Sequence, residues 1–346
     1  MRQTMWRRCL AASLFTAGLG AGMDGAAAQD RVQWRFSVWG NSREVTRGIE
    51  AVATHVQEKS GGKFTIRIHY GDQLSDAKDN LDGIKVGAFE AAQVCASYHP
   101  GKNPVMTVLD LPFLPIPSFD ALEKVHEAVY AHPEAVKEME RWNAKTIFST
   151  ILPQYEIMGS GKPPKTLDDW KGVRVRALGG MGDAMRELGA IPTSVTSPET
   201  YTALERGVIT AVSLPFSYGH HVFKVHEVSK WYTMGMQLGS LNCPTVIATD
   251  AWKKLPSAYQ AYIEEARPLA YAALKKAYEA SDAKYVPEFD RRGLQRIDIS
   301  DGMRNDFIQR AAKPVWDKWV SDNAGKLPAQ AIFDFVMAEA RKVAGT

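Results

Sequence analysis

The strongest constraint on the fold of this chain is an order of segments that occurs twice. Residues 32–40 alternate side chains as a strand does, residues 42–62 place apolar side chains at helical spacing, and residues 63–71 again favour a strand. A comparable β-α-β order returns between residues 170 and 215. Because strands joined through helices commonly lie parallel in one sheet, we predict an α/β fold with two parallel sheets.

The repeat also predicts how the chain divides. The length of 346 residues is ample for two domains. We predict that domain I comprises residues 29–153 and 242–286, and that domain II comprises residues 154–241 and 287–346. Residues 256–291 have the composition of one long helix, which we expect to lie across both domains as a brace. The predicted architecture is therefore α/β, with two domains and a long bracing helix.

The first 28 residues have the features of a secretory signal peptide. Their first eight residues include three arginines, an apolar run follows, and the segment ends in small residues around 26–28. We therefore predict a mature chain that begins near Gln29 and is exported. The formal net charge of +3 is mostly due to this leader, so the composition gives no indication of a nucleic-acid partner.

The two cysteines outside the leader, Cys95 and Cys243, lie in apolar segments. Export permits a disulfide bond between them, but a pair of cysteines does not require one. We expect two buried thiols, because free cysteine is among the most buried residue types.

The motifs of common enzymes are missing from the sequence. Residues 159–162 (GSGK) resemble part of a phosphate loop but lack its full spacing, and no G-x-S-x-G elbow occurs. His220 and His221 are adjacent, which points their rings in different directions and argues against a shared metal ion. The sequence therefore predicts no enzyme, no cofactor and no metal site.

Two arginines on one predicted strand, Arg174 and Arg176, are the strongest sign of an anion site. They alternate with valines, so both lie on the same face of the strand. Ligands of α/β sheets bind beyond the carboxyl ends of strands, which favours Arg176 as the ligand contact. Arg174 is expected near the rim, and an ion pair with Asp168 or Asp169 is the structural alternative for either arginine.

Longer stretches around these arginines resemble a known family. The segments TLDDWKGVRVRAL (166–178) and LGAIPTSVTSPETYTALERGVITAV (188–212) are similar to the core of the DctP family, the solute receptors of TRAP transporters. EKSGGKFTI (58–66) and VLDLPFL (108–114) fit its N-terminal half. The resemblance implies a two-domain periplasmic binding protein fold with an interdomain ligand cleft. Its two α/β domains close on a small organic acid in the periplasm and deliver it to a membrane permease, without enzymatic activity. The resemblance also implies that Arg176 is the carboxylate anchor.

The predicted pocket departs from the family pattern toward apolar and aromatic side chains. Glu156 stands where many members carry a second arginine, and Leu214 replaces a ligand-binding asparagine. Trp39, Cys95 and Tyr98 replace polar or charged residues. Burying a polar ligand body without partners is costly, so we expect a monocarboxylate with an apolar or aromatic body. The alternatives are a C4-dicarboxylate or a 2-oxo or 2-hydroxy acid, or a periplasmic enzyme that acts on a carboxylated substrate.

Glu156 leaves three alternatives open: it pairs with Arg176, accepts a bond from a ligand hydroxyl, or holds a ligand amine. Four aromatic residues could stack on a ligand ring or could instead pack in the core: Trp39, Tyr98, Tyr155 and Phe216. The complete set of predicted ligand-binding residues is Arg176, Trp39, Tyr98, Gln154, Tyr155, Glu156, Leu214, Phe216 and Asn242.

Overall fold

A computed structural model describes residues 31–99 and 101–344 of the chain. The predicted signal peptide, residues 1–28, lies outside the described residues. Among the helices that are described, none is long and apolar enough to cross a membrane.

Eleven strands are described, and they form two mixed sheets. Their bounds are β1 (Val32–Ser37), β2 (Phe64–His69), β3 (Ala91–Gln93), β4 (Ala144–Ser149), β5 (Tyr155–Gly159), β6 (Arg174–Arg176), β7 (Ile191–Thr193), β8 (Ala211–Pro215), β9 (Trp231–Met234), β10 (Pro244–Ala248) and β11 (Gln295–Asp298).

Twelve α-helices cover and connect these sheets within the described part of the chain. Their bounds are α1 (Arg47–Lys59), α2 (Asn80–Lys85), α3 (Phe119–Ala131), α4 (Pro133–Glu140), α5 (Gly179–Glu187), α6 (Thr200–Glu205), α7 (Tyr218–Val222), α8 (Thr249–Lys254), α9 (Ser257–Arg291), α10 (Asp301–Phe307), α11 (Lys313–Asn323) and α12 (Ala329–Ala344).

The first sheet has the strand order β2-β1-β3-β10-β4, and the second has the order β11-β9-β5-β8-β6-β7. The strands of each predicted β-α-β unit are parallel, as expected: β1 pairs with β2 and β3, and β6 pairs with β7 and β8. The expectation of wholly parallel sheets is wrong, because β10 lies antiparallel between β3 and β4, and β5 lies antiparallel to β8 and β9. Both exceptions are strands that the chain enters after passing from one sheet to the other.

The chain passes from the first sheet to the second between Ser149 and Tyr155, and it returns between Met234 and Pro244. Strand β11 then pairs with β9 in the second sheet. The boundaries of the two domains at residues 153 and 241 stay a prediction.

Helix α9 is the long helix that the sequence predicts over residues 256–291, and it contains 35 residues. Its first half packs on the first sheet, where Tyr259 stacks on Phe64 with ring centroids 5.3 Å apart. Its second half contacts the segment that follows β8, where the Asp282 carboxylate accepts a bond of 3.0 Å from the Ser217 N–H. The helix therefore touches elements of both sheets, as a brace does.

The expectation of two free thiols is wrong, because Cys95 and Cys243 form a disulfide bond. The antiparallel insertion of β10 is the reason. Gln93, the last residue of β3, lies opposite Thr245 of β10. Cys95, two residues after Gln93, therefore comes to face Cys243, two residues before Thr245. The disulfide bond could not be predicted from the sequence, because the sequence predicts only parallel strands.

Candidate functional site

Arg176 is the last residue of β6, and its side chain is buried with 1% of its surface exposed. Its Nε donates to the Val195 carbonyl at 3.1 Å, and its Nη1 donates to the Ser213 carbonyl at 2.8 Å. These two bonds fix the plane of the guanidinium. Among the residues that the structure describes, no carboxylate forms an ion pair with it, so its charge is available to an anion from outside the chain.

The remaining nitrogen of Arg176 faces two hydroxyl groups that come from different parts of the fold. Nη2 lies 3.4 Å from the Tyr98 hydroxyl and 3.3 Å from the Ser197 Oγ. Tyr98 follows β3 of the first sheet, whereas Ser197 follows β7 of the second, and the Ser197 N–H donates to the Tyr98 hydroxyl at 3.2 Å. Hydroxyls, an N–H and a guanidinium together form a set of donors that suits a carboxylate.

A small cavity between the two sheets lies beside this cluster, and its volume is about 20 Å³. That is room for about one water molecule, so the structure shows the cleft closed. The aromatic side chains that line it are Trp39, Tyr98, Tyr155, Tyr218 and Phe223. The lining therefore includes three of the aromatic residues singled out in the sequence and two that were not.

Arg174, two residues before Arg176, is exposed and lies outside the cavity. Its Nε donates to the Val208 carbonyl at 3.0 Å, and its Nη2 donates to the Gly207 carbonyl at 2.8 Å. It forms no ion pair with Asp168 or Asp169 in the described structure. The two arginines thus share a face of β6 but have different surroundings, as their positions along the strand indicate.

Glu156 does not pair with Arg176 in this structure. Its carboxylate accepts bonds from the Thr233 hydroxyl at 2.6 Å and from the N–H groups of Met236 and Gln237 at 3.2 and 3.1 Å. Burial raises the pKa of this carboxyl group, and the three donors oppose that rise. Tyr155 lines the cavity, so strand alternation directs its neighbour Glu156 to the opposite face of β5.

We expect the substitution Glu156→Gln to lower thermal stability and to leave ligand affinity within about twofold, because the donors to both carboxylate oxygens come from this chain. The amide nitrogen of glutamine would face a donor N–H or hydroxyl, which costs about 1–3 kcal/mol in the buried interior. Thermal unfolding and titration calorimetry measure the two effects. An affinity loss of more than about tenfold at unchanged stability would instead place Glu156 on the ligand.

The other predicted site residues lie outside the cavity lining. Leu214 is fully buried opposite Glu156, and Phe216 packs in the core against Tyr232 and Phe289. The side chain of Asn242 accepts a bond of 2.5 Å from the Tyr130 hydroxyl and donates to the Met106 carbonyl. Gln154 is half-buried, and its Oε1 has no hydrogen-bond partner among the described residues.

Asn242, which lies between the lining residues Leu241 and Cys243, also contacts a buried acid. Its backbone N–H donates to Asp110 at 2.5 Å, and the Ser97 hydroxyl donates to the same carboxylate. Burial raises the pKa of Asp110 to about 7. Asp110 lies in a 3₁₀ segment, Met106–Asp110, which packs against the start of α5.

Arg43 and Ser197 both line the cavity, although neither is among the residues predicted from the sequence. Arg43 lies in the loop between β1 and α1, and Ser197 lies in the loop between β7 and α6. Each loop follows the carboxyl end of a parallel strand, where α/β sheets bind ligands, and that position is the signal that could have indicated them.

Histidines form a second cluster, away from the cavity. His221 and His226 place their Nε2 atoms 3.3 and 3.6 Å from the carboxylate oxygens of Glu288, which also accepts a bond from Arg292. The two imidazole rings are stacked at an angle of 15°, with centroids 4.8 Å apart. Lone pairs of stacked rings lie in separate planes and do not converge on one ion. Burial lowers the pKa of His221, which favours its neutral form, so the arrangement is a polar cluster around Glu288.

Comparison with known sequences identifies relatives over most of the chain. The profile of a family described as bacterial extracellular solute-binding protein, family 7 (DctP), matches residues 37–323. A curated relative, the monocarboxylate 2-oxoacid-binding periplasmic protein of Nostoc sp. (strain PCC 7120), is 24% identical over 305 residues, which are 87% of this chain and 81% of the relative.

Solved structures show the same fold. A TRAP solute-binding protein from Rhodoferax ferrireducens, in complex with copurified benzoate, superposes with a TM-score of 0.82 at 19% identity and covers 91% of this chain and 99% of its own. A TRAP periplasmic solute-binding protein from Desulfovibrio salexigens, with bound orotic acid, gives a TM-score of 0.81 at 20% identity and covers 90% and 99%.

Proposed function

This chain belongs to the DctP family, family 7 of the bacterial extracellular solute-binding proteins, and we propose that it binds a small organic acid in the periplasm for a TRAP permease. Its ligand has a carboxylate that binds Arg176 and a body that is apolar or aromatic. Relatives of this chain are named for binding 2-oxoacids and C4-dicarboxylates, and one related structure holds benzoate. Those names support the class of ligand without identifying it.

The observation that carries the proposal is the guanidinium of Arg176, which is buried and yet has no carboxylate partner among the described residues. A buried charge is costly unless an opposite charge compensates it, and a guanidinium binds a carboxylate through two parallel hydrogen bonds. The Tyr98 and Ser197 hydroxyls now accept hydrogen bonds from the Arg176 Nη2. A ligand carboxylate would replace these hydroxyls as the acceptor, or would accept from Nη2 alongside them. Nothing in such a site requires a nucleophile or a metal ion.

The walls of the cavity support an apolar or aromatic body for the ligand. Five aromatic side chains line it, and rings of this kind bind a ligand ring through stacked or edge-to-face contacts. A sugar acid would bury several hydroxyls there with few partners, at a cost of about 2 kcal/mol or more for each one unpaired.

Binding requires the cleft to open, because a cavity of about 20 Å³ does not hold an organic acid. The segments that connect the sheets, residues 150–154 and 235–243, are the places where a hinge motion would occur. Closure around the acid would then bring Tyr98 and Ser197 toward it from the two sheets.

Calorimetric titration of the mature protein with organic acids tests the proposal. The protein is first unfolded and refolded to remove any acid carried from the cell, and the panel contains benzoate, 2-oxoacids, 2-hydroxy acids and C4-dicarboxylates. We expect one acid per chain to bind, without product formation. Turnover of a panel compound would support the periplasmic enzyme instead, and the absence of binding to every carboxylate would contradict the proposal.

A further inference from the structure

A buried acid outside the ligand cavity, Asp110, lies where three segments of the chain meet. It ends the 3₁₀ segment Met106–Asp110 and is 1% exposed. Its carboxylate accepts bonds from the Ser97 hydroxyl and from the Asn242 N–H. Ser97 directly precedes Tyr98, and Asn242 lies in the segment through which the chain returns to the first sheet. The acid therefore joins the loop that carries Tyr98 to one of the two segments where a hinge motion would occur.

The cover over Asp110 comes from the other sheet. Helix α5, which connects β6 to β7, begins with Gly179 and Gly180. A Cβ on Gly179 would meet the Ser97 Oγ and would lie 3.3 Å from the Asp110 Cβ. The start of the helix is thus in van der Waals contact with the acid and with its hydrogen-bond donor. When the cleft opens by a hinge motion, α5 moves with the second sheet and Asp110 becomes accessible to water.

The titratable and charged groups around Asp110 do not compensate its charge. Those on neighbouring elements of the fold are Tyr130 of α3, Glu138 of α4 and Tyr155 of β5. The groove that Leu111 and Gly180 line beside α5 also contains Asp183, Lys318, Asp322 and Lys326. Lys318 pairs with Asp322, and among the described residues no cation forms an ion pair with Asp110.

Closure of the cleft therefore changes the affinity of Asp110 for a proton. A carboxylate that leaves water without a counter-charge takes up a proton more readily, and burial raises the pKa of Asp110 to about 7 in the closed structure. An aspartate that is open to water has a pKa of about 4. The Ser97 hydroxyl suits both forms, because it can donate to the carboxylate or accept from the protonated acid.

We propose that this receptor takes up a proton at Asp110 when its cleft closes on the organic acid, so that pH sets the strength of binding. The inference rests on the proposed function and adds its regulation. The proton comes from the solvent, adds to the carboxylate on closure and returns to the solvent on opening. Because the closed form binds more protons than the open form between about pH 4 and pH 7, affinity falls as the pH rises through about 7.

Calorimetry of the wild-type protein tests the proposal directly. Titrations with the tightest acid of the panel, in buffers that differ in their enthalpy of ionisation, count the protons taken up from the buffer. A correction removes any proton that the acid itself carries. We expect an uptake of about 0.5 proton per bound acid at pH 7, about 0.9 at pH 6 and about 0.1 at pH 8. The affinity should fall about tenfold from pH 6 to pH 8.

The variant Asp110→Asn keeps the shape of the side chain and one acceptor oxygen but cannot take up the proton. We expect it to bind the acid without proton uptake and with an affinity that changes less than about twofold between pH 6 and pH 8. Thermal unfolding verifies that the variant is folded. The wild-type titrations decide the question of proton uptake even if the variant does not fold.

Glu138→Gln is the matched control. Glu138 accepts bonds from the N–H groups of Val105 and Met106 at the other end of the same segment, and burial also raises its pKa to about 7. It lies in α4, which packs on β4 of the first sheet, so it stays buried whether the cleft is open or closed. The variant should therefore keep the proton uptake of the wild type.

Other buried groups do not account for the expected dependence. Burial lowers the pKa of His99 to about 4 and the pKa values of His126 and His220 to about 3, so these rings stay neutral between pH 6 and pH 8. Glu156 is a further buried acid with a raised pKa, and Glu156→Gln serves as a second control that should keep the proton uptake.

The outcomes separate this inference from the proposed function. Binding without proton uptake in the wild type would overturn the inference and leave the receptor function intact. Uptake that survives in Asp110→Asn, or that disappears in a control variant as well, would also overturn it. Failure of every acid to bind would overturn the proposed function and this inference with it.

Discussion

Replacement of Arg176 by lysine lowers the affinity for the organic acid about 100-fold or more, whereas the same replacement at Arg174 leaves it within about twofold. Lysine keeps the positive charge at both positions, so the comparison isolates the geometry of the guanidinium. At position 176 the fork is lost next to Tyr98 and Ser197, where we propose that the ligand carboxylate binds. At position 174 the side chain is exposed and bonds only to carbonyls of a surface turn.

Arg174→Lys is a close control because it lies two residues away on the same strand and on the same face. Calorimetry with the tightest acid of the panel measures both variants, and thermal unfolding reports their stability. Arg176→Lys also loses a bond to Val195 or Ser213, so we expect its stability to fall by about 1 kcal/mol. Comparable affinity losses at the two positions would show that the position along the strand does not decide which arginine binds.

The periodicity of the sequence was sufficient to predict those strands and helices whose pattern lies within one short segment of the chain. Alternation predicted β1 and β2, helical spacing predicted α1, and composition predicted α9 to within one residue. The insertion of β10 beside β3 was not predictable, because pairing between strands distant in the sequence leaves no local pattern. The disulfide bond between Cys95 and Cys243 was missed for the same reason.

The candidate site shows the same division between local and long-range information. Arg176 was predicted correctly to lie on one face of its strand and at the strand's carboxyl end, because both properties depend only on neighbouring residues in the sequence. Arg43 and Ser197 were missed because their loops have no periodic pattern, although each loop follows the carboxyl end of a parallel strand. Strand alternation allowed only one of Tyr155 and Glu156 to face the cavity, but the sequence did not say which face of β5 was turned toward it.

Two glycines allow helix α5 to lie close against the 3₁₀ segment Met106–Asp110. Gly179 and Gly180 begin α5, and they lie against the chain around Asp110 and Leu111. A Cβ on Gly180 would lie 2.8 Å from the Asp110 carbonyl oxygen and 3.0 Å from the Leu111 Cα. These are backbone atoms, which move only if the segment moves as a unit. The glycine therefore permits the close approach seen in the closed cleft.

We expect Gly180→Ala to weaken acid binding about tenfold or more while the protein stays folded, because the added methyl group opposes closure of the cleft. A destabilisation of the closed state by about 1.4 kcal/mol corresponds to this tenfold loss. Calorimetry measures the affinity, and small-angle X-ray scattering with saturating acid measures how far the chain compacts. We expect the variant to need more acid than wild type to reach the same compaction.

Gly325→Ala is the matched control, because a Cβ on Gly325 would have no atom within 4 Å. It should leave both affinity and compaction unchanged. Gly180→Ala could instead lower the melting temperature strongly and bind acid as wild type does once folded. That result would mean that α5 contacts the Asp110 segment in both the open and the closed state. Weaker binding at an unchanged melting temperature would mean that the approach of α5 to the Asp110 segment forms only on closure, and that the glycine sets the balance between the two states.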